Sequence, residues 1–120
     1  MKKTILMYLA LVLFAFAGCT NSSSSADGNV FKSVSPSEAM NMMKNRENLL
    51  VVDVRAPLEL RNGYIDGPTL IPFWEILKGK RSLPTDKPIL LVCDVGGRSY
   101  GIGELLYRNG WPEIYNLSAA

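Results

Sequence analysis

The chain has 120 residues, 48% of them hydrophobic, which is room for one domain and little else. The formal charge of +2 equals the contribution of Lys2 and Lys3, and no basic run or aromatic-interleaved patch follows them, so nucleic-acid binding is excluded. Two cysteines are too few for a disulfide framework. The absence of histidine rules out a Ser-His-Asp triad, a Cys-His pair and every His-bearing zinc site.

Residues 1–18 read as a targeting segment. Lys2 and Lys3 precede an apolar run from Ile5 to Ala17, which is too short to span a bilayer but suits a signal h-region. Phe16-Ala17-Gly18-Cys19 resembles the lipobox of bacterial lipoproteins, although that family prefers Leu where Phe16 stands. The resemblance implies lipidation of Cys19 and a membrane anchor on the extracytoplasmic side of a cell or outer membrane. Cleavage after Ala15-Phe16-Ala17 is the alternative, and it leaves Cys19 as a free thiol. Residues 19–29 are mostly Ser, Asn, Ala, Asp and Gly, the composition of a flexible tether reaching roughly 17 Å.

Residues 30–120 form the domain. Phe31 to Val34 is a candidate edge strand. Ser35-Pro36-Ser37-Glu38 then opens a helix with capping residues, and Ala39, Met42 and Met43 supply its buried face. Leu49-Leu50-Val51-Val52 is a continuous apolar run, the mark of a strand covered on both faces. A short helix runs from Pro57 to Leu60 and stops at Asn62-Gly63. Thr69-Leu70-Ile71 is a weaker strand, and Pro72 and Gly79 bracket a further helix. Ile89-Leu90-Leu91-Val92 is the second continuous apolar strand. From about Arg98 to Asn109 a helix is expected, with Ile102, Leu105 and Leu106 as its stripe and Gly110 as its stop. Gly101 and Gly103 within it cost about 1 kcal/mol each in propensity and point to close helix–sheet contact or, alternatively, to a mere local weakness. Ile114-Tyr115-Asn116-Leu117 is the last strand. Strands alternating with helices predict an α/β fold, a mostly parallel sheet of about five strands with helices on both faces.

The chemistry concentrates in Cys93-Asp94-Val95-Gly96-Gly97-Arg98-Ser99, between a buried strand and a helix. Ligands of open α/β sheets bind beyond the carboxyl ends of strands. The two glycines let the loop curl with its N–H groups inward, and the helix start adds positive potential. A cysteine thiolate projecting into such a cradle has a lowered pKa without any imidazole. Arg98 is expected to add charge at the rim. A cysteine ending an apolar strand is often only a small hydrophobe, but a packing cysteine gains nothing from an anion cradle.

From about Ser33 to Leu117 the chain resembles a rhodanese domain, the sulfurtransferase family. The motifs are Cys93-x-x-Gly96-x-Arg98-Ser99, Asp53-Val54-Arg55 with Glu59, Gly63-x-Ile65-x-Gly67 with Ile71-Pro72, and Asn109-Gly110-Trp111 with Tyr115-Asn116-Leu117. The resemblance implies that Cys93 accepts a sulfur atom from a small donor such as thiosulfate and holds it as a persulfide. The loop from Asp94 to Ser99 would hold the persulfide charge, and a thiol or cyanide would take the sulfur, with no cofactor and no metal. Asp53, Arg55 and Glu59 are expected to support the site, with an Arg55–Glu59 ion pair steadying the loop after the Asp53 strand.

Four residues separate Cys93 from Arg98, one fewer than in cysteine phosphatases, and the tighter ring suits one sulfur atom rather than a phosphate. Tyr64 stands where the family usually has His. Asp94 places a carboxylate beside the cysteine and predicts poor use of thiosulfate. After Leu117 the family usually continues with Gly-Gly and a closing helix where this chain reads Ser118-Ala119-Ala120, so part of a sheet face is expected to be uncovered. Two further readings stay open: a non-catalytic rhodanese-like binding module, and a persulfide relay to an exported thiol protein.

Overall fold

Strand β4 (Ile89–Val92) sets the architecture, because Ile89, Leu90 and Leu91 are fully buried and Val92 is nearly so. A strand with no exposed face must lie inside a sheet and under cover on both sides. The computed structural model describes residues 28–118 and places β4 third of five strands. The others are β1 (Val30–Val34), β2 (Leu50–Asp53), β3 (Thr69–Leu70) and β5 (Glu113–Leu117), in the order β1-β5-β4-β2-β3. Every pairing is parallel. The signal segment, Cys19 and most of the tether expected from the sequence lie outside the described residues, as do Ala119 and Ala120.

Helices cover both faces. On one side α1 (Pro36–Asn45) packs Ala39 with Val34, Leu90 and Val92, joined by the half-buried Met42 and Met43. Its start follows the sequence reading: Ser35 Oγ accepts from the Glu38 N–H at 3.2 Å, and a Glu38 carboxylate oxygen accepts from the Ser35 N–H at 2.9 Å. On the other side α2 (Phe73–Leu77) and α3 (Gly97–Arg108) bury Ile76, Ile102 and Leu106 against Val52, Ile89, Leu91 and Ile114. The α1 side retains an apolar hollow of about 120 Å³ lined by Ala39, Met43, Leu90, Val92 and Leu117.

Three local expectations change. The segment after β2 is a 3₁₀ helix over Pro57–Asn62 rather than a shorter helix ending at Leu60. Leu105 is exposed, because the buried stripe of α3 runs Ser99, Ile102, Gly103, Leu106 and Leu105 lies about 100° around the helix from it. The two α3 glycines also differ. A Cβ on Gly103 would stand 2.6 Å from the Phe31 ring and 3.3 Å from Ile114, so Gly103 is the close-contact residue. A Cβ on Gly101 would meet nothing within 4 Å, and this glycine serves no helix–sheet contact.

The two glycines therefore predict opposite outcomes in denaturant unfolding. Gly101→Ala is expected to stabilise the domain by about 0.5–1 kcal/mol through helix propensity. Gly103→Ala is expected to destabilise it by about 1 kcal/mol, as overpacking against Phe31 outweighs the same propensity gain.

Candidate active site

The chain leaves β4 at Val92 and must turn within a few residues to start α3 at Gly97. Gly96 makes the turn possible: its φ of 85° is left-handed, a region glycine enters without the Cβ clash. The turn brings the Gly96 N–H within 3.1 Å and the Ser99 N–H within 3.4 Å of Cys93 Sγ, both donating to sulfur. Ser99 Oγ lies 3.2 Å from the same sulfur. Asp94, Val95 and Gly97 complete the loop without bonding Sγ, so fewer of its N–H groups reach the sulfur than expected from the sequence.

Cys93 is only 8% exposed and belongs to the larger core cluster, yet its sulfur faces the curled loop. Burial pushes the thiol pKa up. The Ser99 hydroxyl and the N–H groups of Ser99, Gly96 and Arg98 push it down and prevail, so the thiol is more acidic than an ordinary cysteine. A hollow of about 270 Å³ opens beside the sulfur, lined by Arg55, Gly63, Tyr64, Ile65, Val92, Asp94 and Leu117.

Two ion pairs brace the site, and neither is the expected Arg55–Glu59 pair. Arg55 grips Asp53 through Nε at 3.0 Å and Nη2 at 2.8 Å, and its Nη1 donates to the Gly63 carbonyl at 2.9 Å. Asp53 closes β2 only two residues earlier, and both side chains are about nine-tenths buried, so the guanidinium takes the carboxylate that shares its burial. Glu59, on the 3₁₀ segment, turns instead to Arg98 in a two-point contact, with one bond of 2.6 Å. It also accepts from the Ala56 N–H at 2.6 Å. Arg98 is thus paired with Glu59 and lies over the Phe73 ring, while its charge still interacts with Cys93 and Asp94. Asp94 is exposed and has no ion-pair partner among the described residues.

Asn116 belongs to the site without any loop motif to announce it. It is 3% exposed on β5, and its Oδ1 accepts a short hydrogen bond from Ser99 Oγ. An amide flanked by Ile114, Tyr115 and Leu117 in a covered strand is the signal that could have found it, since a buried polar side chain needs a partner.

The family model described as "Rhodanese-like domain" matches residues 35–119. The chain belongs to the rhodanese-like family. It is 40% identical over 67 residues to the uncharacterized protein YqhL of Bacillus subtilis, covering 56% of this chain and 53% of that protein. The chain therefore spans about half the length of YqhL. It is 29% identical over 87 residues to the thiosulfate sulfurtransferase GlpE of Pseudomonas putida, covering 72% of this chain and 78% of that one. A rhodanese-like domain protein from Staphylococcus aureus superposes with a TM-score of 0.64 at 30% identity, over 74% of this rhodanese-like chain and 86% of the other. The five-stranded parallel sheet flanked by helices is thus the fold of this family.

The Glu59–Arg98 pair predicts a pH dependence. Arg98, then the Ala56 N–H, hold the Glu59 carboxyl at about 2, well below its ordinary value of 4.5. A depressed carboxyl stabilises the fold above its unfolded pKa and loses that contribution as pH falls through the folded one. Acid unfolding of the native protein should therefore carry a component between about 4.5 and about 2 that Glu59→Gln lacks. Equilibrium unfolding across that range, native against variant, checks it.

Proposed function

We propose that this chain is an exported, lipid-anchored sulfurtransferase that moves a sulfane sulfur through a persulfide on Cys93. The observation that carries the reading is the sulfur of Cys93 held by the N–H groups of Gly96 and Ser99 at the end of β4. Those donors favour the anionic nucleophile, and they also suit the negative charge of a persulfide.

The Cys93 thiolate attacks the outer sulfur of a donor such as thiosulfate. A new S–S bond forms while the donor's own S–S bond breaks, and its electron pair leaves on sulfite. The enzyme is left as Cys93-S-S⁻. A thiolate or cyanide then attacks the outer sulfur, forming an acceptor persulfide or thiocyanate, and the electron pair returns to Cys93 as thiolate. The name of the Pseudomonas putida relative, a thiosulfate sulfurtransferase, supports this chemistry.

The charges around the sulfur bear on the donor. Arg55 and Arg98 are each matched by a carboxylate, which leaves Asp94 as the uncompensated charge at the mouth. A dianionic donor meets repulsion there and no free cation, so thiosulfate is a poor donor compared with a neutral or singly charged sulfane sulfur. Tyr64 and Ile65 stand exposed at the rim and favour a thiol carried on a protein as acceptor. Lys2, Lys3, the apolar run to Ala17 and Cys19 support export and lipidation, with residues 19–29 as the tether.

Cys93→Ser should abolish thiocyanate formation in a cyanide assay while leaving the unfolding midpoint close to native. Mass spectrometry after donor exposure should find a one-sulfur gain on native Cys93 and none in the variant; residual turnover in the variant would refute the assignment. In the same assay Asp94→Ala should raise kcat/KM for thiosulfate about fivefold, the equivalent of about 1 kcal/mol of repulsion. Labelled palmitate should enter the native chain and not Cys19→Ala; equal labelling of both would exclude the anchor.

A further inference from the structure

Ser99 is wholly buried and carries one hydroxyl hydrogen. Three groups compete for it: Asn116 Oδ1, Cys93 Sγ at 3.2 Å and the Gly96 carbonyl at 3.3 Å. While Asn116 Oδ1 holds the hydrogen, the sulfur receives none from the hydroxyl. Ser99 Oγ then meets the sulfur as an acceptor, and the bonded chain S–H to Oγ–H to Oδ1 satisfies a neutral thiol. A thiolate has no hydrogen to give. The hydroxyl can help hold it only after turning from Asn116 to the sulfur.

Asn116 can permit that turn because its amide has a donor end and an acceptor end. Its Nδ2 donates to Ser33 Oγ on β1 at 3.2 Å. Rotating the amide by half a turn puts Nδ2 on Ser99 Oγ and Oδ1 on Ser33 Oγ, whose hydroxyl then donates. Both arrangements satisfy every group, with the sulfur neutral in one and charged in the other. The orientation of such an amide is decided by its hydrogen-bond partners, and here those partners change with the sulfur.

We propose that Asn116 is a positioning residue that sets the charge state of Cys93, its two amide orientations deciding whether Ser99 accepts from the sulfur or donates to it. The consequence for turnover rests on the sulfurtransferase reading, but the acidity of the thiol does not. The other charged groups around Cys93 are Asp94 on its own loop, Arg98 with its partner Glu59, and Arg55 with its partner Asp53. None of the substitutions below replaces any of these groups.

The test is the pH dependence of iodoacetamide alkylation at Cys93 in the full chain, resolved by peptide mass spectrometry so that Cys19 is counted separately. Asn116→Asp offers only acceptors and keeps the hydroxyl turned away from sulfur. Its alkylation midpoint should rise by about one pH unit, about tenfold less thiolate at any pH below it. Asn116→Leu offers neither donor nor acceptor and releases the hydroxyl to the sulfur, so its midpoint should stay at or below native. In a Ser99→Ala background the rise from Asn116→Asp should fall to less than half, leaving only the effect of the added charge. Midpoints displaced upward alike by Asp and Leu, or an Asp effect undiminished without Ser99, would overturn the proposal. These alkylation measurements need no sulfur donor, so a failed sulfur-transfer assay and a failed relay remain distinguishable.

Discussion

Burial and hydrogen bonding pull the acidity of Cys93 in opposite directions, and the loop after β4 decides the contest. A sulfur that is only 8% exposed loses most of the water that would solvate its charge. What replaces that water is a set of N–H groups from Gly96, Arg98 and Ser99, pinned by the start of α3. Because the helix fixes them, they require no reorganisation when charge appears on the sulfur. The left-handed turn at Gly96 allows a four-residue strand and a twelve-residue helix to meet across so short a loop. The rest of the domain serves this junction: β4 is central because both faces of the sheet must be covered to hold its end still.

The two arginines illustrate how a site can contain positive side chains without being positive. Arg55 and Arg98 lie beside the loop, and each is bound at two points by a carboxylate from the segment after β2 or from its end. Their work is mechanical. Arg55 ties the end of β2 to the Gly63 carbonyl, and Arg98 ties α3 to the 3₁₀ segment. Together they tie the β2–β3 connection to itself and to the helix that follows the Cys93 loop.

Much of this was legible in the sequence, for reasons specific to each element. Continuous apolar runs located β2 and β4, and the Ser35–Glu38 pair located the start of α1, because those signals are local. The Cys93 loop was legible because its glycines announce a turn between a strand and a helix. Partner choice was not legible. The resemblance suggested Arg55 with Glu59, but the backbone at the end of β2 turns Arg55 back onto Asp53, and Glu59 faces a helix start 39 residues further along. Asn116 was legible only as part of the last strand and its motif, because its place in the site depends on β5 lying beside β4, a long-range adjacency that periodicity along one segment does not encode.

The direction of Arg98 also explains why this cradle differs from one built for phosphate. A tetrahedral dianion needs a guanidinium folded over the loop to share its charge. Here the guanidinium faces the other way, onto Glu59 and over the Phe73 ring, and the centre of the loop offers only N–H donors and one hydroxyl. Such donors suit a negative charge on sulfur, which is diffuse and weakly hydrated. The shorter Cys93–Arg98 spacing and the outward arginine are therefore one feature seen twice. With a residue fewer in the ring, Arg98 falls at the second position of α3, on the helix side that meets the 3₁₀ segment, where a carboxylate is already waiting.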